Sequence, residues 1–313
     1  GDHRDLHSFP TRRSSDLSNE QVLSTRQPVS SPAQDAIAEP VSSPAQVEPA
    51  QVKQVESTRA EQTLMANIFD FRMSLVCLNK SDECIAMCDK KNSEMKSLFE
   101  NDTKNLYSND IRLAVENILM QEKFNYMYAK NSKDKNAENL LMAQYKNIKD
   151  YAENHPLEKQ NKYLLVTSGD IISSSLQYMT LSKAMNEGMT IKKYYEAALL
   201  QDKEFSYCLA NMGQWLYHAP AIAGGGKKIG LEYFYKADEN AKSAYEIYYA
   251  NLLISQVEFE NKNTQAYKSS FEKCATVSSP NAYVDFLSVI NNAGYSLFYY
   301  ILNKEKVEKE LNL

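Results

Sequence analysis

Apolar residues recur along most of this chain at the spacing of an amphipathic helix. Over residues 110–129 they form one broad stripe, as a helix needs if one face is to be buried; its members are Ile111, Val115, Ile118, Leu119, Phe124 and Met127. Ser108 precedes this stripe at a position suited to an N-cap. The alternation typical of strands is absent. The pattern predicts an all-α domain over about residues 59–313, long enough to bury a substantial core.

The helices predicted from this periodicity are separated by short punctuated breaks. Asn-His-Pro at 154–156, Asn-Glu-Gly at 186–188 and Ser-Ser-Pro at 278–280 are three such breaks. Short loops between helices of similar length favour antiparallel pairs stacked on their neighbours. The predicted helices span about 60–79, 82–100, 108–131, 135–153, 157–186, 190–200, 203–217, 227–239, 243–260, 263–276 and 281–305.

Small and large residues repeat in the second half of the chain in a way that resembles the tetratricopeptide repeat. Leu209, Met212, Gly213 and Leu216 match the first helix of a repeat; Gly230, Phe234 and Ala237 match the second. Small residues allow the paired helices to approach closely, and large ones fill the groove between them. Flanking partial matches extend the clearest repeats to about residues 190–277. The resemblance implies antiparallel helix pairs stacked as a tetratricopeptide-like α-solenoid.

The loop inside this repeat departs from the family pattern. Gly213 and Gly230 are 17 positions apart, against about 12 in the repeat family, and the extra residues fall within YHAPAIAGGGKKIG. This stretch resembles the AP…GG loop of bacterial exported tetratricopeptide-like proteins, in particular the T-component associated with tripartite periplasmic (TRAP) transporters. Over about residues 160–305, that resemblance implies a periplasmic, usually lipid-anchored lipoprotein scaffold that partners a solute-binding protein.

Two segments precede the helical domain. Residues 1–17 match the translation of a common sequencing-library adapter, so we exclude them from the fold. Residues 18–58 hold five of the nine prolines and repeat PVSSPAQ at 28–34 and 40–46, which predicts a disordered spacer. The spacer is either an end without a role or a tether that holds the domain off a membrane. What precedes Ser18 in nature, whether a leader, a lipid-anchor signal or more domain, stays open.

Candidate chemistry is sparse. Gly224–Gly226 followed by Lys227 and Lys228 lacks the first glycine, the Ser or Thr and the preceding strand of a phosphate loop. These glycines either form a tight turn that lets two helices pack or expose amides to an anion. The five cysteines do not make a zinc set, although Cys77 could bridge to Cys84 or Cys88 in an oxidising compartment.

No catalytic constellation, metal site or cofactor is predicted. His155 and His218 lie beside prolines without a nucleophile and acid partner at recognisable spacing. Most of the 21 tyrosines are expected in the core, with some on a partner-contacting face. A net charge of −5 and no basic patch interleaved with aromatics argue against nucleic acid.

Three functional hypotheses remain. The first is a non-enzymatic, exported helical-repeat scaffold that binds a protein in the cell envelope, with membrane attachment only through a lost anchor. The second is a cytoplasmic adaptor of the same fold, and the third is a small-ligand carrier with a pocket between helices.

The loop between the repeat helices is the expected site. Trp215, Tyr217, His218, Lys227 and Lys228 are its predicted partner- or ligand-binding residues. The competing interpretation places Trp215 in the helix-pair core and makes the loop a passive spacer. Loop and packing roles are predicted for Gly213, Pro220, Gly224, Gly225, Gly226, Gly230, Phe234 and Ala237.

Overall fold

The computed structural model describes residues 49–277 and 279–313. Over this part of the chain there are thirteen α-helices and no strand, so the predicted all-α class is confirmed. The adapter-like segment 1–17 and residues 18–48 of the predicted spacer lie outside the described residues. The helices are α1 (Pro49–Leu78), α2 (Ser81–Glu100), α3 (Asn109–Lys130), α4 (Lys135–Asn154), α5 (Lys162–Ser175), α6 (Leu181–Gln201), α7 (Ser206–His218), α8 (Lys227–Glu239), α9 (Ala244–Glu260), α10 (Thr264–Val277), α11 (Ala282–Asn292), α12 (Leu297–Leu302) and α13 (Lys304–Leu311).

Helix α1 begins earlier than the sequence pattern places it. Its first residue is Pro49, a residue type that suits the first turn because it has no amide to leave unpaired. Residues 49–58, assigned above to the spacer, are therefore part of a helix.

The largest difference from the predicted elements lies around α5 and α6. A single helix was predicted over about 157–186, with a break at Gly188. The chain instead leaves α5 at Ser175, makes a 3₁₀ turn over Leu176–Tyr178, and enters α6 at Leu181. Gly188 lies inside α6. A helical glycine costs only about 1 kcal/mol relative to alanine, so the burial of α6 residues such as Ile191 outweighs it.

A second difference lies near the C-terminus, where one helix was predicted over about 281–305. Three helices occupy this region, because Gly294 turns the chain with a φ of +90° after α11. Ser296 then caps α12 by accepting the amide of Tyr299 at 3.0 Å.

The helices form packed pairs in two layers. Helices α3, α5, α7 and α9 contact one another in succession and are buried on most sides. Helices α2, α4, α6, α8 and α10 each bury one stripe against them. Helix α1 lies against α3, α9 and α11. The inner helices thereby bring residues distant in sequence to one place.

The α7–α8 pair shows why small residues are needed. A Cβ added to Gly213 would lie 2.7 Å from the ring of Phe234, and one added to Gly230 would lie 2.8 Å from the carbonyl oxygen of Gly213. Any larger side chain would push the helices apart. Ser206 at the start of α7 donates to the carbonyl of Ala237 near the end of α8 at 2.7 Å. The two helices are therefore antiparallel and in direct contact.

Candidate ligand-binding cavity

A cavity of about 370 Å³ lies on the side of α7 opposite α8. Helices α1, α3, α5, α6, α7 and α9 contribute to its wall, together with the segment Ala219–Ala223 that follows α7. Its size falls within the range of about 300–1,000 Å³ typical of small-molecule sites. Its lining changes from apolar at the mouth to polar at the base.

The mouth of the cavity is apolar and open to solvent. Met185 on α6 is 68% exposed and Ile222 in the loop is 98% exposed. Trp215, the single tryptophan of the chain, lies on the wall beside Pro220. Its indole Nε1 donates to the carbonyl oxygen of Gly188 at 2.8 Å, which joins α7 to α6. Gly188, which the sequence pattern placed at a break between helices, therefore lies inside α6 and accepts this hydrogen bond through its carbonyl oxygen.

The loop after α7 is tightly folded. Gly224 has a φ of +85°, a left-handed conformation that favours glycine. A Cβ on Gly225 would lie 2.0 Å from the carbonyl oxygen of Ala219. The amides of Gly224, Gly225 and Gly226 donate to the carbonyls of Ala221, Pro220 and Leu216, respectively. Because all three amides already donate to carbonyls of the loop or of the end of α7, the glycines form a tight turn, and the anion hypothesis for them is wrong.

At the base, Arg72 from α1 is paired with Glu122 from α3. Arg72 Nε donates to Glu122 Oε1 at 2.6 Å, and the arginine is only 3% exposed. Its guanidinium lies 4.9 Å from the ring centroid of Tyr207 and 4.4 Å from that of Tyr245. Burial alone would lower the pKa of Arg72, but these tyrosines and Glu122 raise it well above its ordinary value. The base therefore holds a permanent cation with its counter-charge.

Asp170 from α5 is the second acidic group of the base. Tyr195 donates to one carboxylate oxygen at 2.9 Å and Tyr207 donates to the other at 2.6 Å. Burial raises the pKa of Asp170 to about 6, although the Tyr207 hydrogen bond and the charge of Arg72 act in the opposite direction. At neutral pH the carboxyl group is therefore mostly ionised, but more easily protonated than usual.

A chain of amides and hydroxyls connects the base to α7 and α9. Asn211 Nδ2 donates to the carbonyl of Tyr207 at 3.0 Å, and Asn211 Oδ1 accepts the hydroxyl of Tyr249 at 3.0 Å. Tyr249 in turn accepts from Gln214 Nε2. On α3, Gln121 Nε2 donates to Asn125 Oδ1 at 2.8 Å.

Three buried polar atoms on residues of this wall lack a hydrogen-bond partner among the described residues. They are Arg72 Nη1, Gln121 Oε1 and Gln214 Oε1. Leaving such an atom without a partner costs about 1–3 kcal/mol. Each of these atoms exposes less than 1 Å² of surface, so they lie behind the cavity wall and not on it.

The residues predicted from the loop divide between two places. Trp215 and His218 line the cavity. Tyr217 points elsewhere, and its hydroxyl donates to Glu260 at 3.0 Å. Lys227 also faces Glu260, at 3.9 Å, while Lys228 lies on the exposed surface. Trp215 and His218 therefore belong to the cavity wall, whereas Tyr217 and Lys227 belong to an adjoining cluster around Glu260.

His218 stands at the mouth of the cavity. Its ring centroid lies 5.0 Å from that of Tyr217 and 5.5 Å from that of Phe298. Although the residue as a whole is exposed, the atoms packed around the ring remove water from it and lower the pKa of His218 to about 4. The imidazole is neutral at physiological pH.

The polar residues at the base of the cavity were not predicted from the sequence, because they lie on five different helices. Arg72, Gln121, Asp170, Tyr207 and Tyr249 share no local spacing. One signal was available: Arg72 shares a helical face with the apolar residues Phe69 and Val76, which are three and four positions away from it. A charge on a buried face calls for a buried partner.

Over the described ranges, no group of three or more His, Cys, Asp or Glu side chains is placed to hold a metal ion. The five cysteines are thiols, and none is joined to another. In the same part of the chain, no helix combines the length and apolar character needed to cross a membrane. Comparisons with protein-family models, curated proteins and solved structures give no match.

Proposed function

We propose that this chain is a non-enzymatic, tetratricopeptide-like α-solenoid that binds a small molecule in the cavity beside α7. The observation that carries the proposal is a cavity of about 370 Å³ with an apolar mouth and a polar base lined by Arg72, Asp170 and Tyr207. Small-molecule sites are typically apolar clefts with a few polar groups that orient the ligand. The small-ligand carrier therefore becomes the leading hypothesis.

The proposed location is the bacterial periplasm, or the envelope surface through a lipid anchor. Its support is the proline-rich segment that precedes the helices and the resemblance of the Ala219–Gly226 loop to that of exported tetratricopeptide-like proteins. A carrier in this compartment would hold its ligand and pass it to a transport partner.

The binding role is tested with N-phenyl-1-naphthylamine, an uncharged fluorescent probe. Because Trp215 lines the cavity, a bound probe should quench its emission by energy transfer, with saturation at one probe per chain. Ser173→Phe places a ring in the cavity from the α5 wall and should weaken probe binding at least about tenfold.

The matched control is Ser182→Phe, which adds the same ring at an exposed position of α6 outside the cavity wall. It should leave the dissociation constant unchanged. The proposed function would be contradicted if wild type and Ser173→Phe bound the probe equally, or if wild type showed no saturable probe binding.

The second candidate function is docking of a protein, such as a periplasmic solute-binding protein. The observation in its favour is the exposed apolar set at the cavity mouth, where Leu181 and Met185 are one helical turn apart on α6 and Ile222 is nearby in the loop. Met185→Ser combined with Ile222→Ser should abolish capture of a purified solute-binding protein by the immobilised chain. Unchanged capture would exclude this surface.

A further inference from the structure

Asp170 is the ionisable group at the cavity base that a ligand can reach. It lines the cavity and is only half-buried, whereas Arg72 on the same wall is 3% exposed. Tyr195 donates to Asp170 Oδ1 at 2.9 Å, and Tyr207 donates to Asp170 Oδ2 at 2.6 Å. A carboxylate oxygen has two lone pairs, so each of these oxygens can accept one further hydrogen bond.

The charged side chains at the base leave one negative charge uncompensated. Arg72 Nε donates to Glu122 Oε1 at 2.6 Å, so these two charges neutralise each other. The charge of Arg72 also lowers the pKa of Asp170, but no lysine, arginine or histidine nitrogen of the described residues comes within 4.0 Å of this carboxylate to form an ion pair. A carboxylate removed from water is costly until a cation pairs with it.

The wall around this carboxylate offers few donors to an anion. Tyr195 and Tyr207 each give their only hydroxyl proton to Asp170. The indole Nε1 of Trp215 is already used by the carbonyl oxygen of Gly188. An anionic head group would therefore face a like charge without free donors from these three side chains.

The mouth of the cavity suits an apolar body. Met185, Trp215 and Ile222 line it there. Lys192, whose Nζ lies 5.4 Å from the centroid of the Trp215 ring, is not part of the lining and pairs with Glu196 at 3.7 Å. The cavity therefore combines an apolar entrance with a negatively charged base.

From this arrangement we infer that the cavity selects an organic cation, with a primary ammonium group at Asp170 and an apolar body toward Trp215 and Ile222. An ammonium group has three donors, and the hydroxyl of Ser173, one turn further along α5, is a second acceptor on the same wall. A hydrogen bond between an ammonium group and a carboxylate is roughly twice as strong as one between neutral groups. This inference rests on the proposed function and adds the chemical class of the ligand.

The test uses three probes with the same eight-carbon chain: octylammonium, 1-octanol and octanoate. Affinities are measured at pH 7.5 by displacement of N-phenyl-1-naphthylamine. Octylammonium should bind at least about tenfold more tightly than 1-octanol, because only the cation compensates the charge of Asp170. Octanoate should bind most weakly, because its carboxylate would lie beside another one.

Asp170→Asn keeps the shape of the side chain and removes its charge. It should weaken octylammonium binding on the order of tenfold and change 1-octanol binding by less than about twofold. The matched control is Asp110→Asn: Asp110 is also half-buried and also accepts a tyrosine hydroxyl, from Tyr151, but lies outside the cavity wall. This control removes the same charge from the protein and should leave all three affinities unchanged.

Protonation of Asp170 should act in the same direction as the substitution. Burial raises the pKa of Asp170 to about 6, so octylammonium affinity for wild type should fall on the order of tenfold between pH 7.5 and pH 5 as the ionised fraction decreases. Asp170→Asn should show no such fall. Burial lowers the pKa of His218 at the mouth to about 4, so its imidazole stays neutral over this range. The other groups that face the carboxyl are common to both proteins; they are Arg72, Glu122, Tyr195, Tyr207 and Tyr249.

The outcomes separate the two proposals. The cation assignment would be overturned if 1-octanol or octanoate bound as tightly as octylammonium, if Asp170→Asn bound octylammonium as wild type does, or if none of the three probes displaced a normally bound dye. In these cases the cavity remains a binding site. Absence of saturable dye binding by wild type would overturn the proposed function itself. The ranking and its pH dependence in wild type decide the question even if Asp170→Asn fails to fold.

Discussion

Helix α7 carries two faces of opposite character. On the α8 side, Gly213 lies against Phe234 and Gly230 so closely that no added carbon fits. On the other side, Asn211, Gln214, Trp215 and His218 line a cavity. The same thirteen-residue helix therefore supports both a close-packed interface and an open site.

The difference between these faces separates stability from function. Close packing lowers the free energy of the folded state through van der Waals contacts. A cavity open to solvent lacks those contacts, and an unpartnered buried oxygen such as Gln214 Oε1 adds a further cost. Stability alone does not account for the cavity face, and the ligand binding proposed above is one role that would.

The largest expected effect comes from Arg72→Met at the base of the cavity. Removing the arginine leaves Glu122, whose side chain is 2% exposed, without a counter-charge. The free energy of unfolding should fall by about 3–5 kcal/mol, measured by urea denaturation followed by circular dichroism.

The double variant Arg72→Met with Glu122→Leu should recover most of that loss, because Glu122 is then no longer left without its counter-charge. Lys80→Met, which breaks an exposed pair with Glu83, should change stability by less than about 1 kcal/mol. Equal losses in the single and double variants would show that the ion pair is not the source of the effect.

A somewhat smaller effect is expected on the packed face. Gly213→Leu forces the side chain into Phe234 and should destabilise the protein by up to about 3 kcal/mol. Gly188→Ala is the matched control: this glycine is also helical, but a Cβ there meets nothing within 4 Å. It should stabilise the protein by about 0.5–1 kcal/mol. A neutral Gly213→Leu would remove the support for the α7–α8 repeat register.

The helices could be predicted from sequence because each one carries its own periodic pattern. The errors fall where that pattern continues through a break. Apolar and small residues predominate from Leu164 to Met179 and no proline interrupts them, so the end of α5 was missed. Gly188 carried such a signal, but packing of α6 outweighed it. Local sequence therefore predicts that a helix is present better than it predicts where the helix ends.

Of the residues that line the cavity, the sequence pointed only to those near the loop after α7. The departure from the repeat spacing drew attention to the segment after α7, and Trp215 and His218 lie there. Arg72, Gln121 and Asp170 were not found, because pairing between helices far apart in sequence leaves no spacing to detect. Tyr217 does not line the cavity, because neighbours in sequence on a helix point to different sides.

The smallest expected effect is a pH dependence centred on Asp170. Its carboxyl group is surrounded by Arg72 from α1, Glu122 from α3, Tyr195 from α6, Tyr207 from α7 and Tyr249 from α9. Its pKa is about 6 in the folded protein, against about 3.9 in an unfolded chain. The folded state therefore holds the proton more tightly than the unfolded state.

That difference fixes the sign of the effect. Below about pH 4 the group is protonated in both states, and it contributes no penalty to folding. As the pH rises from about 4 to 6, the unfolded state gains its charge first, so the free energy of unfolding falls by about 2 kcal/mol over that range.

Asp170→Asn has no carboxyl group at this position, so its stability lacks this pH-dependent contribution. The stability of wild type relative to Asp170→Asn should therefore decrease between pH 4 and 6.5 in urea denaturation, while other titrating groups cancel in the comparison. A constant or rising difference would mean that the tyrosine hydrogen bonds and Arg72 hold the carboxylate ionised over this range.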